Sequence, residues 1–306
     1  MTHNINQDIE GEINKLIDKN IAKTKSILVF SGGGVKGISY FGVFKALEKL
    51  KLLQNITTFA ATSVGTMVMS LYLMGYNIEE LDAFYQYFEF KNLTTVSDFQ
   101  INNITNLFEN LGLDNGKNII KVLGSMLENK KINKDITLLD FYKLNKKKFI
   151  LTTCCLDTNT VEYLSYETHP TLKLSEAVRM STAVPLYFCP YKYNNKFYID
   201  GGCLDNYPIS LFTDKLDEVI GVYVDVNIED NKISNLKDYV YSVLKIISTG
   251  MTKNIIRGWD KVTIFIKTKQ SNLLNFNITL EEKKELVNEG YKQTISFFKP
   301  QSSSSS

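Results

Sequence analysis

Arginine is nearly missing from this chain: Arg179 and Arg257 are the only two in 306 residues. Thirty-five Lys and Arg against 33 Asp and Glu leave a net charge of only +2. So few planar guanidinium forks and so little charge exclude an ordinary nucleic-acid partner. Histidine is as scarce, with only His3 and His169. The four cysteines, Cys154, Cys155, Cys189 and Cys203, make no Cys-x-x-Cys pair, and the set has no zinc-ligand spacing. The expectation is reduced, buried thiols. Five prolines and 17 glycines exclude a collagenous chain. Long apolar runs are missing too. The longest nearly uncharged one, Val64 to Tyr76, is too short to span a bilayer, and Met1 to Lys25 lacks the apolar stretch of a signal peptide. These absences predict a soluble, cytoplasmic protein.

What is present can build a core: 44% hydrophobic residues, among them 18 Phe and 17 Tyr. Residues 1–25 read as an amphipathic leading helix, with Ile5, Ile9, Ile13, Leu16, Ile17 and Ile21 at helical spacing. A core domain is predicted over 26–226. It opens as strand (Ser26–Phe30), helix (about Gly37–Lys51), strand (Thr57–Ala61) and a very apolar helix (Val64–Met74). That alternation with Gly-rich turns predicts an α/β fold, a mostly parallel central sheet with helices on both faces. A helical insertion is expected at about 78–145. Hairpins are predicted over 149–166 and 187–199, and another core strand over 218–226. Residues 227–300 read as a mostly helical extension with one strand, Val262–Lys267. Residues 301–306 form a Ser-rich tail.

Three segments carry chemistry. Gly32-Gly33-Gly34-Val35-Lys36-Gly37 follows a strand and opens a helix, so its backbone N–H groups face a site that favours negative charge, a phosphate or an oxyanion. Lys36 opposes the helix dipole there, so it is expected to have an anionic partner or, as the simpler reading, to reach into solvent. The glycines also fit a dinucleotide-binding turn, but the second strand ends Ala61-Thr62-Ser63 without the acid that would hold a ribose. Ala61-Thr62-Ser63-Val64-Gly65 is close to a Gly-x-Ser-x-Gly nucleophile elbow. Its serine needs a base. His169 reads as a solvated loop histidine, whereas Ile199-Asp200-Gly201-Gly202 offers a carboxylate at a strand end. The ordinary reading of Asp200 is an Asx-turn acid.

In this order, together with Ser181-Thr182-Ala183-Val184-Pro185, these segments resemble the patatin-like phospholipase family over roughly Ser26 to Val226. The resemblance implies a three-layer fold with 26–226 as its catalytic domain. It implies Ser63 as nucleophile, Asp200 as base, and an oxyanion hole over Gly32, Gly33, Gly34 and Val35. Lys36, Gly37, Ala61, Gly65, Gly201 and Gly202 are the supporting positions. Lys36 stands where the family often has Arg, and Ala61 replaces the elbow glycine. The implied activity is lipid acyl hydrolysis, of phospholipase A or lysophospholipase type, through an acyl-enzyme and with no metal or organic cofactor. The implied partner is a phospholipid or other acyl ester, with peripheral membrane contact and no nucleic acid. Two alternatives stand beside it: a catalytically weak lipid-binding relative with the elbow spoiled by Ala61, and a nucleotide-binding oxidoreductase using the glycines. The aromatic cluster Phe84, Tyr85, Tyr87, Phe88 and Phe90 reads as core or as cover for an acyl channel. Lys146-Lys147-Lys148 reads as a solvated loop or a contact for anionic headgroups.

Overall fold

The computed structural model describes residues 24–96, 107–225, 258–268 and 273–299, with a few isolated positions between 233 and 246. Nearly all of the leading helix, most of the helical extension over 227–257 and the Ser-rich tail lie outside the described residues.

Strand β1 (Ile27–Phe30) is buried on both faces. Its parallel neighbours are β2 (Thr58–Thr62) on one side and β9 (Val219–Asp225) on the other. The sheet continues outward from β9 to β10 (Thr263–Lys267) and from β2 to β4 (Lys148–Cys155), all parallel. Beyond β4 the sheet turns antiparallel, with β5 (Thr160–Leu164), β7 (Tyr191–Tyr193) and β8 (Lys196–Asp200). The strand order is β10-β9-β1-β2-β4-β8-β7, with β5 also paired to β4.

Strand periodicity divides β1 between two cores. Leu28 and Phe30 enter a large core with helices α1 (Ser39–Lys49), α2 (Val64–Leu73), α3 (Ile78–Tyr87), α4 (Lys117–Asn129), α6 (Leu174–Ser181) and α7 (Leu280–Phe298). Helix α5 (Leu138–Asn145) adds Leu138 and Phe141. Ile27 and Val29 enter a smaller core against Tyr207 and, from the irregular 3-10 run Pro208–Glu218, Ile209 and Phe212. Helices α3 and α7 each start at a capping box, Asn77 with Glu80 and Thr279 with Glu282.

Two expectations need correction. The helix read from Gly37 begins as a 3-10 turn, Gly34–Ile38, and becomes α-helical only at Ser39. The strand read over 187–193 is split. Its first part, β6 (Leu186–Phe188), pairs in parallel with β3 (Gly112–Asp114) from the insertion. Pro190 has no N–H for a ladder. Just before it, the Cys189 N–H goes to the Asp114 carbonyl and the Cys189 carbonyl accepts from Arg179 Nη2.

Candidate functional site

Strand β4 brings the site together. Its residues 151–155 pair with β5 on one edge, so β2 and β8 must share the other. Thr62 at the end of β2 lies opposite Thr152, and Asp200 at the end of β8 lies opposite Thr153. The two strands therefore run toward each other along one edge and meet C-terminus to C-terminus. Gly201 makes the meeting possible, because a Cβ there would sit 2.5 Å from the Thr152 carbonyl oxygen.

Ser63 occupies the turn between β2 and α2 with φ 54° and ψ −128°. Positive φ in a non-glycine residue costs on the order of 1–3 kcal/mol and persists only where the surroundings enforce it. They do so here. The Ser63 N–H donates to Ser181 Oγ at 3.0 Å, and its carbonyl accepts from the Thr66 N–H and Thr66 Oγ1. Ser63 Oγ donates to Asp200 Oδ2 at 2.6 Å, while Asp200 Oδ1 accepts from the Gly202 N–H at 2.7 Å. Both residues are buried. Burial pushes the Asp200 carboxyl up to about 6, and the bonds from Ser63 and Gly202 to its charged form keep it from rising further. A hydroxyl held in this way can pass its proton to the carboxylate as it attacks an electrophile.

Ala61 fits the elbow because Gly65 makes room. A Cβ on Gly65 would lie 2.9 Å from the Ser31 carbonyl oxygen, 3.0 Å from Phe30 Cβ and 3.2 Å from Ala61 Cβ, none of which can swing aside. Overpacking of this kind costs about 1–3 kcal/mol, or roughly 10- to 100-fold if felt in the transition state. Gly65→Ala is therefore expected to lower kcat/KM on a soluble ester by at least about tenfold, and Ala61→Gly to change it less than about threefold. Steady-state kinetics on the two variants checks this, and equal losses would remove the argument.

The glycine loop lies against the serine, since a Cβ on Gly32 would come within 3.2 Å of Ser63 Cβ. Gly37 lets the loop approach Val64, whose methyl carbons lie 2.5 Å from where its Cβ would be. The N–H of Gly32 goes to the Asn206 carbonyl and that of Val35 to the Leu273 carbonyl. The N–H groups of Gly33 and Gly34 have no acceptor among the described residues. Lys36, expected in solvent, is fully buried; the 3-10 turn aims it inward.

An apolar cavity opens from Ser63. Apart from Ser63 and Thr182, its lining side chains are all apolar, which offers nothing to the sugars and phosphates of a dinucleotide. The aromatic cluster divides around it. Phe84, Phe88 and Phe90 line the cavity, Tyr85 packs on Phe41, and Tyr87 is 82% exposed. Leu274 and Phe276, ahead of α7, complete the wall, and buried Lys283 fastens it by donating to the Phe88 carbonyl at 2.9 Å.

Asn206, which stands in none of the three sequence segments, packs against both Gly32 and Gly202 and so joins the glycine loop to the Asp200 loop. Ser181 stands in the Ser181–Pro185 segment and serves a neighbour, Ser63; a serine in the last turn of a mostly buried helix is the signal for such a role. His169 takes no part in the dyad geometry. It is half-buried rather than solvated, its Nε2 3.5 Å from Glu162 Oε2, with burial lowering its pKa. Within the lysine run, Lys148 pairs with Glu167 and Lys147 donates to the Ile56 carbonyl, so two of the three charges are engaged inside the protein. Cys154 and Cys155 are buried free thiols, whereas Cys189 and Cys203 are half-buried. Among the described residues, no helix is long and apolar enough to cross a membrane.

Residues 28–213 match the family described as patatin-like phospholipase. The chain is 30% identical over 276 residues to uncharacterized protein R571 of Acanthamoeba polyphaga mimivirus, covering 87% of this chain and 91% of that one. It is 28% identical over 234 residues to the Probable lipid hydrolase 463L of Invertebrate iridescent virus 6, covering 76% and 74%. Its fold resembles that of VipD from Legionella pneumophila, with a TM-score of 0.62 and 20% identity over 90% of this chain and 67% of that one.

Proposed function

This chain belongs to the patatin-like phospholipase family, and on that footing we propose that it hydrolyses lipid acyl esters, as a phospholipase A or lysophospholipase, through a Ser63–Asp200 dyad. The observation that carries the reading is the 2.6 Å hydrogen bond from Ser63 to a buried carboxylate, at the mouth of a cavity lined by apolar side chains.

Ser63 Oγ attacks the ester carbonyl carbon as Asp200 Oδ2 takes the hydroxyl proton. The carbonyl oxygen becomes an oxyanion beside the glycine loop, where the N–H groups of Gly33 and Gly34 are placed to receive it. A well-aimed donor of this kind is worth about 3–4 kcal/mol. Asp200 then gives its proton to the leaving alcohol, and the acyl group stays on Ser63. Water, deprotonated by Asp200, attacks the acyl-enzyme, and the fatty acid leaves as Ser63 recovers its proton. The apolar cavity takes the acyl chain, which favours a lipid over a dinucleotide.

A fluorophosphonate probe tests this directly, because it reacts with an activated serine and needs no knowledge of the lipid. Label mapped by mass spectrometry to the peptide containing Ser63, absent in Ser63→Ala and strongly reduced in Asp200→Asn, is the expected result. Wild-type protein that takes no label, or takes it elsewhere, would defeat the dyad.

A further inference from the structure

The cavity has a direction and a length. Helix α2 starts at Ser63, and Val64, Val68 and Leu71 line the cavity along one face of it. Helix α4 presents Ile119, Leu123 and Met126 in the same way. Each set runs over eight residues, seven steps of about 1.5 Å, so each wall is about 10 Å long.

The two helices run side by side in the same sense. At the far end, Tyr76, just past α2, donates its hydroxyl to the Met126 carbonyl at 3.0 Å. At the near end, Asn115, ahead of α4, accepts from Arg179 of α6, and Ser181 of the same helix accepts the Ser63 N–H. Both N-termini therefore lie at the reacting end, and both walls recede from it. Beyond Met126, the last residue of α4 to line the cavity, stands Tyr76. Lys130 sits over the Tyr76 ring, 4.5 Å from its centroid, and pairs with Glu80 at 2.6 Å. An alkyl chain that went further would have to displace a ring capped by an ion pair.

An extended polypeptide covers about 3.3–3.6 Å for every three bonds, or roughly 1.2 Å per bond, so 10 Å accepts about nine bonds. We infer that the cavity is a ruler for the acyl chain: with the carbonyl at Ser63 it seats about eight to ten carbons, and Leu71 and Met126 set the limit. The inference rests on the hydrolase reading and narrows its substrate class to medium-chain acyl esters.

The test is kcat/KM on p-nitrophenyl esters from C4 to C16, dispersed in one detergent, for wild type, Met126→Ala, Leu71→Ala and Val68→Phe. Each methylene that is seated raises kcat/KM by about three- to fourfold. Wild type should peak near C8–C10 and fall at least about tenfold by C16. Either alanine variant should move the peak about two carbons longer, and Val68→Phe, which plugs the channel midway, should move it shorter. The opposite signs keep the test decisive if one variant folds poorly. A wild-type rate that climbs to C16, or a peak that no variant moves, overturns the ruler while the hydrolase reading stands. Failure to cleave any ester, with Ser63 unlabelled by fluorophosphonate, overturns both.

Discussion

The acid limb of the kcat/KM profile should rise through an apparent pKa near 6 and report Asp200. Only the charged carboxylate can take the Ser63 proton, and burial has pushed this carboxyl up to about 6. Below that pH Asp200 is neutral and the dyad is off. Asp200→Asn should cost about 10²–10⁴-fold in kcat/KM and flatten the limb, whereas Ser63→Ala should cost on the order of 10⁶. A wild-type limb near pH 4, the range of an exposed carboxylate, would show that burial does not govern the base. The same shift has a stability side. Because the folded pKa lies above the unfolded one, Asp200 favours the folded state at low pH, and this contribution is lost as pH rises through about 6. Asp200→Asn should therefore raise the melting temperature at pH 8 and not at pH 4. The gain corresponds to roughly 2–3 kcal/mol, and differential scanning calorimetry at the two pH values would detect it.

Gly42→Ala should destabilise the fold by about 3 kcal/mol, the upper part of the range for overpacking. Helices α1 and α7 touch backbone to backbone: a Cβ on Gly42 would lie 1.8 Å from the Val287 carbonyl oxygen, and one on Gly290 would lie 2.0 Å from that of Ser39. No rotamer relieves such a clash, so α7 must move. Movement would strain the Lys283 bond to the Phe88 carbonyl and disturb Leu274 and Phe276 in the cavity wall, so acyl turnover should fall as well. Gly124→Ala is the matched control. Its added Cβ meets nothing closer than Lys134 Cβ at 3.6 Å, and replacing a helical glycine by alanine gains about 0.5–1 kcal/mol. Urea unfolding should show the two substitutions with opposite signs, and equal effects would refute the close-contact argument.

The parts legible in the sequence are those that local backbone geometry dictates. Ser63 stands on a tight strand-to-helix turn, and the glycines at 32–34 and 201–202 stand where chain segments pass too close for side chains. Such needs are written within a few residues. The roles of Ser181 and Asn206 are not legible there because each serves a partner more than a hundred residues away. The pairing of β3 with β6 was equally hard to read, since three-residue strands carry almost no periodicity. Lys36 is buried rather than solvated because it lies within a 3-10 turn, Gly34–Ile38, and not just ahead of a helix that begins at Gly37. Phe84, Tyr85 and Tyr87 part three ways because they stand at different angles around α3, and Phe88 and Phe90 rejoin Phe84 at the cavity after the helix ends.

The strand order also sets how far the chain can be trimmed. The family match ends at residue 213, yet β1 is paired on one side by β9, which begins at Val219. A fragment cut at the family boundary would leave Ile27–Phe30, apolar on both faces, as a bare edge open to pairing with another copy. The smallest portable unit is defined by the sheet rather than by sequence similarity, and it extends through β9, β10 and the closing helix α7.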